Sequence, residues 1–137
     1  MKQDHLPARQ LAGASLLTLA VLQGAMMLAM MTLTRPHPPL TVPLFALGPF
    51  LGAAIALAIG AYAAGSVQTR IGWWASLMAG LLAMVSYGPH KWFDPVFPQI
   101  WPSVILGQLA FLALMVAMFQ ARRYSAEPSA RASGQPG

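Results

Sequence analysis

The chain contains no cysteine among its 137 residues. Disulfide bonds, thiolate nucleophiles, thiol redox relays and Cys-ligated zinc or iron–sulfur centres are therefore excluded. Charge is also scarce, because only 8% of the residues are charged whereas 57% are hydrophobic. A soluble domain has about a quarter charged residues. The composition indicates an integral membrane protein with no thiol chemistry.

Charged residues are absent from four long apolar runs, and all eight Lys and Arg and all three Asp and Glu residues fall outside them. A charge at the centre of a membrane helix costs roughly 2.5–3.5 kcal/mol, so charge-free runs mark the spans. We predict four transmembrane helices at residues 11–33, 42–65, 71–87 and 101–120. The first run lacks a small-x-small cleavage site and is expected to remain as a span.

Little chain remains outside these spans, since each needs about 20 residues. We predict a short N-terminal segment at 1–10, a transmembrane domain at 11–121 and a tail at 122–137. The tail consists largely of Ser, Ala, Pro and Gly, a composition too polar to bury a core, so we expect disorder there.

The basic residues predict the orientation, because loops rich in Lys and Arg stay in the cytoplasm. Two basic residues, Arg35 and Lys91, fall on one side of the predicted membrane. The other side has six: Lys2, Arg9, Arg70, Arg122, Arg123 and Arg131. This predicts an all-α, up-down antiparallel four-helix bundle with both termini cytoplasmic. We read the basic residues as topology signals for a lipid bilayer, not as a nucleic-acid surface.

Ionisable residues are missing from the spans, and proton or cation coupling normally needs one there. A coupled pump is therefore not expected. No catalytic constellation is visible either, so we expect a protein that is not an enzyme and has no cofactor. Two glutamines, Gln23 and Gln108, lie at comparable depth inside the first and fourth spans. We expect the two side chains to hydrogen-bond across the bundle, and such a bond stabilises a membrane protein by about 0.6 kcal/mol. The alternative is that they form a polar spot on a substrate path.

Small residues recur at every fourth position in the second and third spans. The second span has Gly48, Gly52, Ala56, Gly60 and Ala64, and the third has Gly72, Ser76 and Gly80. Such series let helix backbones approach closely in lipid. We expect them to pack within the bundle; the alternative is a surface for another subunit or a second copy.

The loop at 88–102, predicted to lie outside, is rich in aromatic and proline residues. Its apolar residues recur in pairs four positions apart, which predicts one apolar face. Asp94 suits an N-cap and Pro95 a first helical residue, so we expect a short turn that Pro98 keeps short. We favour an element resting on the headgroups; the alternative is a docking surface for a partner. The docking residues would be Trp92, Phe93, Phe97 and Trp101.

Three residues predicted on the outer side, His37, His90 and Asp94, have side chains that suit zinc or copper. The neighbouring Met26, Met27, Met30 and Met31 have thioethers that suit copper(I). Methionine is also an adaptable packing residue, and the histidines lack ligand spacing. We therefore favour a packing role over a metal site.

Three functions follow from this reading. The first is a non-enzymatic accessory, assembly or scaffold subunit of a membrane complex, with a membrane-protein partner or self-association. The second is a small passive channel or carrier that uses Gln23 and Gln108, either alone or as a homo-oligomer. The third is copper or zinc handling at the outer face. Heavy use of Ala, Gly, Pro and Arg suggests a bacterial inner membrane.

Overall fold

A computed structural model describes residues 6–35 and 44–132 of the chain. This part folds into four α-helices and one short 3-10 helix, and no strand occurs in it. The α-helices are α1, Leu6–Met31; α2, Leu44–Ala63; α3, Arg70–Tyr87; and α4, Phe97–Ala132. The 3-10 helix, Pro89–Phe93, connects α3 to the turn before α4.

Each of the four α-helices is long and apolar enough to cross a membrane. The prediction of an all-helical chain with four such helices is therefore confirmed. Their length and composition suggest a multi-pass membrane protein.

The fourth helix is longer at both ends than the predicted span at 101–120. It begins at Phe97, so Pro98 lies in its first turn, where no intrahelical donor is required. The expectation that Pro98 would keep this segment short is wrong for that reason. At the other end the helix runs to Ala132 and includes most of the predicted tail. Ala and Arg, which recur there, are good helix formers. Residues 133–137 lie outside the described part.

The helices pack around an alanine-rich core. The α1 helix contacts both α2 and α4, while α3 packs between α2 and α4. Small side chains allow close approach of the backbones where lipid gives no hydrophobic drive. The buried core cluster consists of Ala12, Leu16, Leu19, Ala20, Ala58, Ala61, Ala79, Ala83, Ala110, Leu114, Ala117 and Met118.

Two ends of the bundle can be distinguished by their contacts. At the arginine end, named for Arg9, Arg70, Arg122 and Arg123, the Arg122 guanidinium carbon lies 3.9 Å from the centre of the Trp73 ring. At the loop end, which contains residues 88–96, the Tyr87 hydroxyl donates a hydrogen bond of 2.7 Å to the Leu22 carbonyl. These contacts join the start of α3 to the end of α4, and the end of α3 to α1.

The turn from α2 to α3 requires a glycine and a threonine. Gly65 has φ 87°, a left-handed conformation that favours glycine. The Thr69 hydroxyl caps α3 by accepting a hydrogen bond of 2.9 Å from the Gly72 N–H, and it donates one of 2.6 Å to the Ala64 carbonyl. This turn fixes how closely α2 and α3 approach.

Candidate functional surfaces

The small residues of α3 face the interior of the bundle. Ser76 is fully buried. A Cβ atom at Gly80 would lie 3.1 Å from the Phe111 ring, and one at Gly72 would collide with the Ser66 carbonyl. The series in the third span is therefore used for packing within this chain, as expected.

The small residues of α2 face outward over most of their length. Gly48 is an exception, since a Cβ atom there would lie 3.7 Å from the terminal methyl of Met31. A Cβ atom at Gly52 or Gly60 would meet no atom within 4 Å, and Ala56 is exposed. The expectation of packing within the bundle is wrong for Gly52, Ala56 and Gly60. The helix turns Leu51, Ala54, Ala58 and Ala61 to the core instead.

We call this surface the exposed face of α2 and define it by four exposed residues, Ala53, Ala56, Gly60 and Ala63, and by the half-buried Gly52 beside them. It differs from the lipid-facing surfaces of the other helices, which present large side chains such as Leu17 and Val21 on α1 or Leu109 and Leu112 on α4. Between Phe45 and Ile59, which are themselves exposed, the exposed positions of α2 hold only Ala46, Pro49, Ala53 and Ala56; beyond Ile59, Tyr62 is also exposed. A backbone so thinly covered can be approached closely by another helix.

The segment at 88–96 is held against α4, which contains the rest of the predicted loop. Trp92 stacks on Phe97 with 5.0 Å between ring centres, and its indole N–H donates to the Gln108 side-chain oxygen at 3.3 Å. The Gln108 amide N–H in turn donates to the Tyr87 carbonyl at 3.1 Å. The predicted docking residues differ in their contacts. Trp92 stacks on Phe97 but is still half-exposed, as is Trp101, and Phe93 is 90% exposed.

Asp94 organises the turn before α4. One carboxylate oxygen accepts a hydrogen bond of 3.0 Å from the Val96 N–H, and the other lies 3.1 Å from the Lys91 ammonium. The Val96 N–H, followed by the bond with Lys91, lowers the pKa of Asp94 below its usual value. The carboxylate is therefore ionised at neutral pH and acts as an Asx-turn acceptor.

These bonds bear on the proposed metal residues. Both Asp94 oxygens already have partners, and His90 is exposed. His37 lies outside the described residues. Across residues 6–35 and 44–132, no group of three or more His, Cys, Asp or Glu side chains is close enough to hold an ion. Metal handling stays a hypothesis without a described ligand set.

The two intramembrane glutamines are not paired. Gln108 bonds to Trp92 and Tyr87, whereas Gln23 is completely buried and neither atom of its amide has a hydrogen-bond partner. The pair was predicted from the depth of the two residues in the membrane. Whether they meet depends on the direction in which each side chain leaves its helix. Gln23 is left as a buried, unpaired polar group, which costs about 1–3 kcal/mol.

A cavity of about 240 Å³ opens at the loop end. Its walls are mainly apolar, with Leu22 and Met26 from α1 and Val104 from α4, and the Lys91–Asp94 pair lies at its edge. Tyr87 lines it too, is only 5% exposed, and donates its hydroxyl hydrogen bond to the Leu22 carbonyl of α1. No sequence pattern predicts this cavity, because four separate elements form it.

No protein-family model, curated protein or solved structure matches this chain.

Proposed function

We propose that this protein is a non-enzymatic accessory, assembly or scaffold subunit of a membrane complex, and that the exposed face of α2 is its contact surface. The observation that carries the proposal is the uncovered series Gly52, Ala56 and Gly60. Helix association in lipid depends on close packing of small residues, because lipid chains are as apolar as leucine. The partner is a second membrane helix, from another protein or another copy.

The topology belongs to the same proposal. We place the four helices in an up-down antiparallel bundle in a bacterial inner membrane, with both termini in the cytoplasm. The contact of Gly13 with the Tyr62 ring and of Arg122 with Trp73 at one end supports the alternating direction of the helices. The arginines at that end support a cytoplasmic location for it.

The packed loop provides a second contact point in this proposal. Trp92 and Phe97 hold the segment rigid, and Phe93 projects from it into the surroundings. A rigid, exposed aromatic residue is a good anchor for a partner, because little conformational entropy is lost on binding.

The test is co-purification in a mild detergent of the tagged protein and of its Gly52→Leu and Gly60→Leu variants. A Cβ atom at either position meets nothing within 4 Å in the isolated chain, so a side chain can leave the helix there without a clash at its first atom. The variants should fold and lose the bound partner or second copy. Gly24→Leu is the matched control, because its position on α1 is equally open and lies outside the α2 face.

Retention of the partner by both α2 variants would contradict this use of the face. A wild-type protein that always purifies as a partner-free monomer would contradict the accessory-subunit proposal itself.

A second candidate function, a passive channel or carrier, is favoured by one observation. The Gln23 amide is buried without a partner, as expected for a group that meets water or a solute during transport. Vesicles containing the protein should then show a solute or water flux that Gln23→Leu abolishes. Equal flux in empty vesicles and in vesicles with either protein would contradict it.

A further inference from the structure

The arginine end contains a groove of about 400 Å³ between the start of α3 and the end of α4. It is lined by Arg70, Trp73 and Trp74 from α3, by Arg122 from α4 and by Gln68 and Thr69 of the preceding turn. We propose that this groove binds the phosphate of an anionic phospholipid headgroup between Arg70 and Arg122. This inference does not depend on the identity of the partner proposed for α2.

Charge is the first argument. The groove has two guanidinium groups, and neither forms an ion pair within the described part of the chain. Asp94 is the only acidic residue between positions 6 and 123, and it lies at the loop end in a bond with Lys91. A zwitterionic headgroup carries a cation of its own, which the two guanidinium groups of the groove would repel. A headgroup with net negative charge is therefore favoured.

Preorganisation is the second argument. The Arg122 guanidinium lies 3.9 Å above the Trp73 ring, so a cation–π contact restrains it. Trp73 itself is braced by an edge-to-face contact with Trp74, with 5.0 Å between ring centres. A guanidinium held in this way loses less freedom when it takes the bidentate geometry that phosphate allows.

The surroundings are the third argument. Trp74 is half-exposed at the end of an apolar helix, the position at which tryptophan rings sit among headgroups. Arg70 is exposed at the first residue of α3, where the helix dipole also favours a negative charge. The acyl chains of a bound lipid would lie along the apolar surface of the same helices, beginning at the exposed Ile71.

The test is a titration of the delipidated, detergent-solubilised protein with dioleoyl phosphatidylglycerol, followed by native mass spectrometry. Arg70→Gln and Arg122→Gln should each weaken binding at least fivefold. Arg9→Gln is the matched control, because it removes the same charge at the same end but lines a separate groove with Leu6 and Tyr62. It should change the affinity by less than twofold. Circular dichroism checks that every variant is folded.

Two further arms identify the ligand. Dioleoyl phosphatidylcholine should bind at least fivefold more weakly than phosphatidylglycerol, and 10 mM inorganic phosphate should leave the lipid in place. Equal losses for Arg9→Gln and the two groove variants would show a diffuse surface potential and overturn the site. Equal binding of the two lipids would overturn the anionic headgroup, and displacement by phosphate would overturn the lipid as the source.

Discussion

Gly107 is a position at which a single added methyl group should disturb the packing of α3 against α4. It lies on α4 directly against Tyr87 of α3, and a Cβ atom added there would be 2.8 Å from the Tyr87 Cβ and 2.9 Å from its Cγ. Carbon atoms pack best at about 3.5–4.0 Å. The Gly107→Ala variant therefore has to separate the two helices or move the tyrosine.

Tyr87 is poorly able to move. Its hydroxyl donates to the Leu22 carbonyl at 2.7 Å, and its own carbonyl accepts from the Gln108 amide at 3.1 Å. Overpacking of this kind costs about 1–3 kcal/mol. Alanine regains up to about 1 kcal/mol over glycine through helix propensity. The same gain is expected for Gly24→Ala, where the new methyl group meets nothing within 4 Å.

The comparison of these two variants isolates the clash, because the propensity gain cancels. We expect Gly107→Ala to be less stable than Gly24→Ala by about 1–3 kcal/mol, the overpacking cost. Reversible unfolding in mixed micelles at increasing SDS fraction, followed by circular dichroism, measures the difference. Equal stability of the two variants would refute the close approach of α3 and α4 at this point.

Three further changes test other parts of the structure. Thr69→Ala removes the cap of α3 and should lower the free energy of unfolding by about 1 kcal/mol in the same assay. Thr18→Ala, the control within α1, should not. Equal losses of stability in the two variants would count against the cap. The pKa of Asp94 is lowered in the fold, so its stabilisation of the loop is complete above the unfolded pKa and is lost as the pH falls through the folded value. In a variant that keeps Trp92 as its single tryptophan, fluorescence should report loosening below about pH 4, and Asp94→Asn should remove that transition; an unchanged transition would contradict the assignment. Gln23→Leu removes a buried amide without partners and should raise the stability by about 1 kcal/mol, so a clear loss would show that the amide has an unseen partner.

The four helices were predictable because a physical rule operates on each residue separately. A charge in the membrane centre is costly wherever its side chain points, so the gaps between charges locate the spans without any knowledge of packing. The ends were less predictable. Pro98 is compatible with either a stop or a first turn, and only the capping of the preceding turn by Asp94 decides between them.

The contacts of the candidate functional surfaces were less predictable, since they depend on how each helix is rotated about its own axis. Gly60 and Gly80 occur in the same four-residue pattern, yet one faces open space and the other meets Phe111. Spacing indicates that a close approach is possible but does not identify what approaches. Gly107 gave no signal at all, because it stands alone rather than in a series.

The same limit explains the failed pairing of the two glutamines. Depth in the membrane can be estimated from the distance to a helix end, but two side chains meet only if both also point toward each other. Gln108 points toward Trp92 and Tyr87, and Gln23 points into the core. Those directions become known only when all four helices are packed together.

In the proposed accessory subunit, the exposed face of α2 is covered by another helix in the native membrane. The chain has no cysteine, so one cysteine at Ala56 and, as control, one at the lipid-facing Leu112 of α4 are each unique targets for a bifunctional photo-crosslinker. We predict a discrete, saturable crosslinked product in native membranes from the Ala56 position, lost on adding Gly52→Leu, and none from Leu112. Crosslinking to lipid alone at Ala56, or the same product from both positions, would contradict the claim.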